Sequence, residues 1–415
     1  MKINKFLIIL FILIVIAIAF KFSPFLSKSE LGKKINEVTE INHAKEIQEV
    51  LIKFDSIHNA YIKESAAVGG AVVITYKGQV AFMKCFGVKK TGETDLVNEH
   101  TIFRLASVSK TITGVLAGIL AEEKIIDPEE NVANILPGFK LKTRESSESV
   151  KVKHLLSHSS GLPPHTYDIM VEDQVPLDQI MNRLNEVEIT APPGQVYAYQ
   201  NVMFSLFDPI VAAKTKKSYN AVLREKVFEP FEMKDASVDF ESFQNNENKA
   251  FPHQKNDTSY SPLKLNNRYY VTAPAAGVNA SISDMAQFLL AISAKNDDLF
   301  SAKAREITFT PQVDSPLKRT YYRNWDKIES KKYAIGWRII EYKNHTVAHH
   351  GGYVSGYQSE IAVCNEEEIG IAVLTNSPNN FFSSEVPAFL NLFFDFKNKQ
   401  LQEKAIAEKT TDNNP

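Results

Sequence analysis

The chain has 415 residues, 44% of them hydrophobic and 23% charged, a globular composition large enough for one sizeable core or two ordinary domains. A net charge of −2 gives no basis for nucleic-acid or anionic-surface binding. Two cysteines, Cys85 and Cys364, exclude a disulfide-rich scaffold and a four-cysteine zinc site; each lies in a strand-like run and is expected as a buried free thiol.

In chain order, Lys2 and Lys5 precede an unbroken apolar run from Phe6 to Phe20, and Lys21 follows it. The run is short for a spanning helix of about 20 residues and suits a signal-peptide core. Ala17-Ile18-Ala19 offers a small-residue cleavage site, but bulky Phe20 and Phe22 follow, so a cleaved signal and an uncut anchor both fit. Residues 1–25 are therefore expected to export the chain to the periplasm or cell surface, with the membrane as a partner if the segment stays attached. Residues 26–65 read as helical, with Ile47, Val50, Leu51, Phe54, Ile57 and Tyr61 on one face.

Next, "GGAVVITYKGQVAFMKCFGV" reads as a β-hairpin around Lys77-Gly78. Residues 101 to about 300 are mainly helical, broken by loops such as "SSGLPPH" and "APPGQ". Then "KYAIGWRIIEY", "HTVAHHGGYVSGYQSEIAVC" and "IGIAVLTNS" are expected as three successive strands, followed by the amphipathic segment "SEVPAFLNLFFDF". The polar tail, 396–415, ends in "QEKAIAEKTTDNNP", which is expected to lack regular structure. Strands at both ends with helices between imply an α+β architecture: an antiparallel sheet (about 66–100 and 330–395) flanked by N- and C-terminal helices. A helical lobe (about 101–300) is inserted between the strands, leaving a cleft.

Three stretches bear chemistry. In "TIFRLASVSKTITGVLAGIL" the apolar positions Val108, Ile112, Val115, Leu116, Ile119 and Leu120 make a buried helix, and Ser107 and Lys110 share a face one turn apart. Desolvation lowers a lysine from its usual pKa of about 10.4, and such a lysine can take a neighbouring hydroxyl's proton. Alone, S-x-x-K arises often by chance, and a serine cap beside a lysine reaching water is its commoner meaning. In "PPGQVYAYQNVMFSLF", Tyr199 offers a phenol for proton transfer and Asn201 an amide to orient a carbonyl. A surface tyrosine next to a capping asparagine is the bland alternative. In "AHHGGYVSGYQSEIAV", glycines inside a strand mark close approach of a backbone or ligand. His349 and His350, adjacent on a strand, point to opposite faces and are poorly placed to share an ion. His154 and His158 supply no metal-ligand signature either. No metal and no cofactor is expected.

Taken together, these stretches resemble the serine β-lactamase and penicillin-binding protein superfamily, in particular its class C β-lactamase-like branch, which includes D-peptidases and esterases. The resemblance covers about residues 66–395. It rests on "FRLASVSKTITG", "VKHLLSHSSGLP", "PGQVYAYQN", "AAGVNASISDMAQFL" and "HHGGYVSGY", in that order. It implies Ser107 as the acylated nucleophile, Lys110 as its activator, Tyr199 as the proton shuttle to the leaving group and Asn201 as a contact to the substrate amide. The family's Lys-Thr-Gly strand maps onto His350-Gly351-Gly352 by the spacing to Gly356; a shift to His349-His350-Gly351 is the alternative register. The oxyanion hole implied is the backbone N–H groups of Ser107 and Tyr353.

The departure is in that strand. His350 replaces a lysine, only partly charged near neutral pH if its pKa is the usual value of about 6.5, and Gly351 offers no hydroxyl. This disfavours efficient β-lactam hydrolysis; a related Lys-to-His change is familiar among the peptidase and esterase members. The expectation is an exported serine hydrolase acting through an acyl-enzyme on an ester, small amide or D-amino-acid-containing, peptidoglycan-derived peptide. The alternatives are a β-lactamase, a slow-turnover penicillin- or muropeptide-binding sensor, and a scaffold that keeps only the fold.

Overall fold

The computed structural model describes residues 45–411, apart from 258, 294–296, 317–321, 327 and 380–381. The apolar leader, residues 1–25, and most of the expected 26–65 helix before residue 45 lie outside the described residues. Among the described residues no helix is long and apolar enough to cross a membrane.

Eight described strands form one antiparallel sheet. They are β1 (Gly69–Tyr76), β2 (Gln79–Gly87), β3 (Val313–Asp314), β4 (Ile328–Tyr333), β5 (Arg338–Tyr342), β6 (His345–Val354), β7 (Tyr357–Cys364) and β8 (Ile369–Thr375). Their spatial order is β2-β1-β8-β7-β6-β5-β4-β3. The N-terminal hairpin is thus sewn directly to the last strand, from Gly70 opposite Thr375 to Tyr76 opposite Ile369.

The segment expected as three strands from 332 to 377 is broken more often. Ser355 and Gly356, with φ of 43° and 89°, end β6 and start β7 by a two-residue turn, as Lys77-Gly78 and Lys343-Asn344 do in their own hairpins. Paired positive φ values match the twist of the flanking strands. After Ser355-Gly356 the aromatic Tyr357 resumes the strand at once, which hides that break from the sequence pattern. "KYAIGWRIIEY" likewise folds back between Tyr333 and Arg338. Gly336 (φ 77°) is required there: a Cβ would lie 2.1 Å from the Lys110 carbonyl oxygen, so the β4–β5 loop packs hard against the helix carrying Lys110.

Side chains of β1 alternate between two cores, as period-2 geometry demands. Ala71 and Val73 belong to the core beneath the helical lobe. Val72 and Ile74 belong to the opposite one, closed by α1 (Gln48–Ser65) and the C-terminal helix (Phe382–Thr411) through Phe54, Val386, Phe389 and Phe393. Buried His58 on α1 contacts Glu385 at 3.1 Å and pins the two helices together. The tail expected to be irregular from residue 402 continues this helix to Thr411; its Gln, Glu, Lys and Ala residues are good helix formers. The lobe centres on α2 (Ser109–Glu122), buried at eleven of its fourteen positions. Cys364 is buried as expected, whereas Cys85 is only half-buried, and both are free thiols.

Candidate active site

Ser107 sits in a single 3-10 turn, Ala106–Val108, that runs straight into α2. The residue before it, Ala106, has φ 47°, a left-handed conformation uncommon for alanine and of the strained kind that gathers at functional sites. Ser107 is not a helix cap: the N-cap of α2 is Val108, without a side-chain cap bond. The Tyr199 hydroxyl donates to Ser107 Oγ at 2.8 Å, and Lys110 Nζ lies 3.4 Å from the same oxygen.

Lys110 is fully buried. Its Nζ donates to Asn201 Oδ1 at 2.8 Å and to the Ala275 carbonyl at 2.9 Å. Burial pushes this ammonium well below the ordinary lysine value; the Asp168 carboxylate opposes the shift and the Arg338 guanidinium adds to it. A neutral amine has two N–H bonds and one lone pair. With both N–H bonds engaged by Asn201 and Ala275, the lone pair is left for the Ser107 hydroxyl.

Tyr199 and Asn201 are held by what precedes and follows them. The His165 amide donates to the Tyr199 carbonyl at 2.8 Å. Gln200, between the two, bonds the carbonyls of Leu162 and Pro163 and accepts from Ser160, locking "SSGLP" to the tyrosine stretch. The Tyr199 ring lies 4.3 Å from the His158 ring, centroid to centroid. Burial, then Lys110 and Arg338, push His158 well below the ordinary histidine value, so it packs there as a neutral ring. Asn201 opens the helix Asn201–Ser205. Its Nδ2 donates to Asp168, at 3.2 and 3.1 Å from the two carboxylate oxygens. That carboxylate fixes the amide so that its oxygen faces Lys110.

On β6, His350 is buried 6.4 Å from Tyr199, ring to ring, whereas His349 turns to Tyr322 and Trp325 in the other direction. His350, not His349, therefore faces the nucleophile. The expectation of a partly charged His350 is corrected: burial, Arg338 and Lys110 push it well below the ordinary histidine value. Its Nδ1 bonds the Gly351 carbonyl at 2.8 Å, and its Nε2 accepts from Arg338 Nη1 at 2.9 Å. The cation beside the strand is thus Arg338, not the histidine. Gly352 comes so close that a Cβ would lie 2.5 Å from the Leu105 carbonyl and 2.9 Å from the Ser107 nitrogen. Tyr353, next along, is exposed. A cavity of about 480 Å³ lined by Gly351, Gly352 and Tyr353 adjoins β6 without reaching Ser107.

Ser107, Lys110, Tyr199 and Asn201, spread over 95 positions of sequence, are thereby joined in one hydrogen-bonded set. Asp168, Arg338 and His158 are functional candidates not foreseen. Arg338 had a signal, a lone charge inside the apolar run "IGWRII"; Asp168 had none.

The family profile described as Beta-lactamase matches residues 54–392. The chain is 23% identical over 328 residues to "Unguisins hydrolase ungD'" of Aspergillus campestris, covering 76% of this chain and 60% of that protein. It is 25% identical over 338 residues to "Protein flp" of Staphylococcus aureus strain MRSA252, covering 78% and 62%. The chain thus spans about three fifths of the length of these curated relatives. The structure of the octameric penicillin-binding protein homologue from Pyrococcus abyssi superposes with a TM-score of 0.70 at 22% identity, covering 82% of this chain and 76% of that one, which speaks for a common fold. Family profile, shared fold and the order of its motifs along the chain together place this protein in the beta-lactamase family, whose members are serine hydrolases.

Proposed function

We propose that the chain is an exported serine hydrolase that forms an acyl-enzyme on Ser107 and acts on an ester, a small amide or a D-amino-acid-containing peptide. The observation that carries this reading is the Ser107 hydroxyl held between the Tyr199 O–H and the buried amine of Lys110. As Oγ attacks the acyl carbon, its proton passes to Lys110, and the carbonyl oxygen gathers charge facing the backbone N–H groups of Ser107 and Tyr353. One such donor is worth roughly 2.7–4 kcal/mol of transition-state stabilisation. Tyr199 then protonates the leaving group as its bond to the acyl carbon breaks, and is reprotonated from the Lys110 ammonium. Water resolves the acyl-enzyme by the same path in reverse.

Gly351 without a hydroxyl, and His350 kept neutral, support substrates that lack the carboxylate of a β-lactam. The lysine-flanked apolar run at 6–20 supports export. The test is intact-mass spectrometry of the chain mixed with an activated ester or with a penicillin, with Ser107→Ala as control. A mass increment that forms and decays with the ester, and is lost in Ser107→Ala, is expected. A long-lived penicillin adduct with no ester turnover would favour a slow-turnover sensor; no Ser107-dependent adduct with either reagent would refute the proposal.

A further inference from the structure

Remote from Ser107, where β6 begins and β7 ends, three side chains of different donor type converge. One ligand atom each of His345, Cys364 and Glu366 lies within 4.8 Å of the other two. His345 is 8% exposed and Cys364 fully buried. Among the described residues neither ring nitrogen of His345 has a hydrogen-bond partner: Nε2 is buried without one, and Nδ1 faces Glu366 Oε2 at 3.8 Å and Glu367 Oε1 at 4.0 Å, too far for a hydrogen bond. A buried imidazole left unsatisfied in this way is uncommon and calls for an explanation. Its ring is held in place by Phe394, stacked at 4.2 Å and 11°, so the orientation is built rather than incidental.

Around Cys364, burial pushes the free thiol up to about 12, while the nearby backbone amides of Glu367 and Glu366 act in the other direction. Those amides come from the β7–β8 turn "CNEEEIG", which also supplies Glu366, an exposed side chain free to swing inward, and Glu367, whose other oxygen is held by Lys397 at 2.9 Å.

We propose that His345, Cys364 and Glu366 bind a zinc ion, with Glu367 or water completing a tetrahedral N/S/O site. Zinc bonds of about 2.0–2.3 Å imply donor-to-donor spacings of roughly 3.3–3.8 Å, within about an ångström of the present arrangement. On binding, the Cys364 thiol proton leaves to solvent and the sulfur takes the metal in its place. His345 and His350 are five positions apart on one strand, about 17 Å. The ion therefore clips the far end of β6 to the β7–β8 turn and takes no part in the chemistry at Ser107.

Cobalt(II), titrated into the reduced full-length chain as a spectroscopic substitute for zinc, tests the site. A thiolate-to-cobalt charge-transfer band in the near ultraviolet is expected, displaced by added zinc, retained in Cys85→Ala and lost in Cys364→Ala. Glu366→Gln, at an exposed position that the core does not depend on, should weaken cobalt binding by about tenfold or more. Absence of the band in the parent chain, its survival in Cys364→Ala, or unchanged affinity in Glu366→Gln overturns the proposal.

Discussion

Asp168→Asn isolates the role of the carboxylate behind Asn201. The substitution keeps an oxygen to accept from Asn201 Nδ2, so the amide should hold its orientation, but it removes the negative charge that favours the ammonium form of Lys110. Across the bridging amide the two charges lie roughly 7 Å apart; at an effective dielectric constant of about 20 their attraction is about 2 kcal/mol, or one to two pH units. The sign follows from the mechanism. Lys110 must be neutral to accept the Ser107 proton, so activity rises as pH climbs through the lysine's pKa, and losing Asp168 lowers that pKa. The acid limb of kcat/KM for an activated ester should therefore move down by about one unit or more, since that limb reports groups of the free enzyme. An acid limb that stays in place, or moves up, would refute the assignment of Lys110 as the base and of Asp168 as its electrostatic partner.

Gly352→Ala forces a Cβ to 2.5 Å from the Leu105 carbonyl. It should cost about 1–3 kcal/mol in chemical denaturation and slow acylation of Ser107 far more than that loss of fold explains; equal acylation rates would show that β6 does not serve the nucleophile. His158, His349 and His350 are all held well below the ordinary histidine value by burial. The unfolded chain takes up these protons below about pH 6.5 and the folded one does not, so stability should fall as pH drops through that point, by about 1.4 kcal/mol per pH unit for each histidine. Glu360, pushed up by burial, opposes one of the three. Melting temperature followed from neutral to mildly acid pH checks this, and a flat profile would contradict it.

How far the sequence could be read depended on where each partner sits in the chain. Ser107 with Lys110, and Tyr199 with Asn201, are local pairs whose spacing survives in one dimension, and the alternation of β1 and the Lys77-Gly78 turn are equally local. Asn201's engagement with Asp168 was out of reach because the two are 33 positions apart and an aspartate in the first turn of a helix, Asp168–Glu172, is unremarked. The charge state of His350 was misjudged because it depends on burial and on Arg338, which reaches it from the neighbouring strand. The Ser355-Gly356 break was hidden because both strands it joins are apolar in alternation, although Ser-Gly is itself a turn signal. The helical continuation to Thr411 shows polar composition being outweighed by helix propensity and by a helix already begun upstream.

The seam between β1 and β8 joins residues about three hundred positions apart. Loop closure of that length grows only logarithmically in cost, so the finished sheet bears it easily, but contacts so far apart slow the search for them. During synthesis β1 and β2 must wait, their inner edge unpaired, until the strand at Ile369–Thr375 has appeared. The site at Ser107 inherits the delay, because β6 and β7 reach the N-terminal hairpin only through β8. A chain cut short before residue 369 would keep every member of the Ser107–Lys110–Tyr199–Asn201 set and yet lack the strand that joins the two halves of its sheet. Competence is thereby deferred until β8 has been made, and a copy that stops short of it is left with open strand edges that invite association rather than with a partial activity.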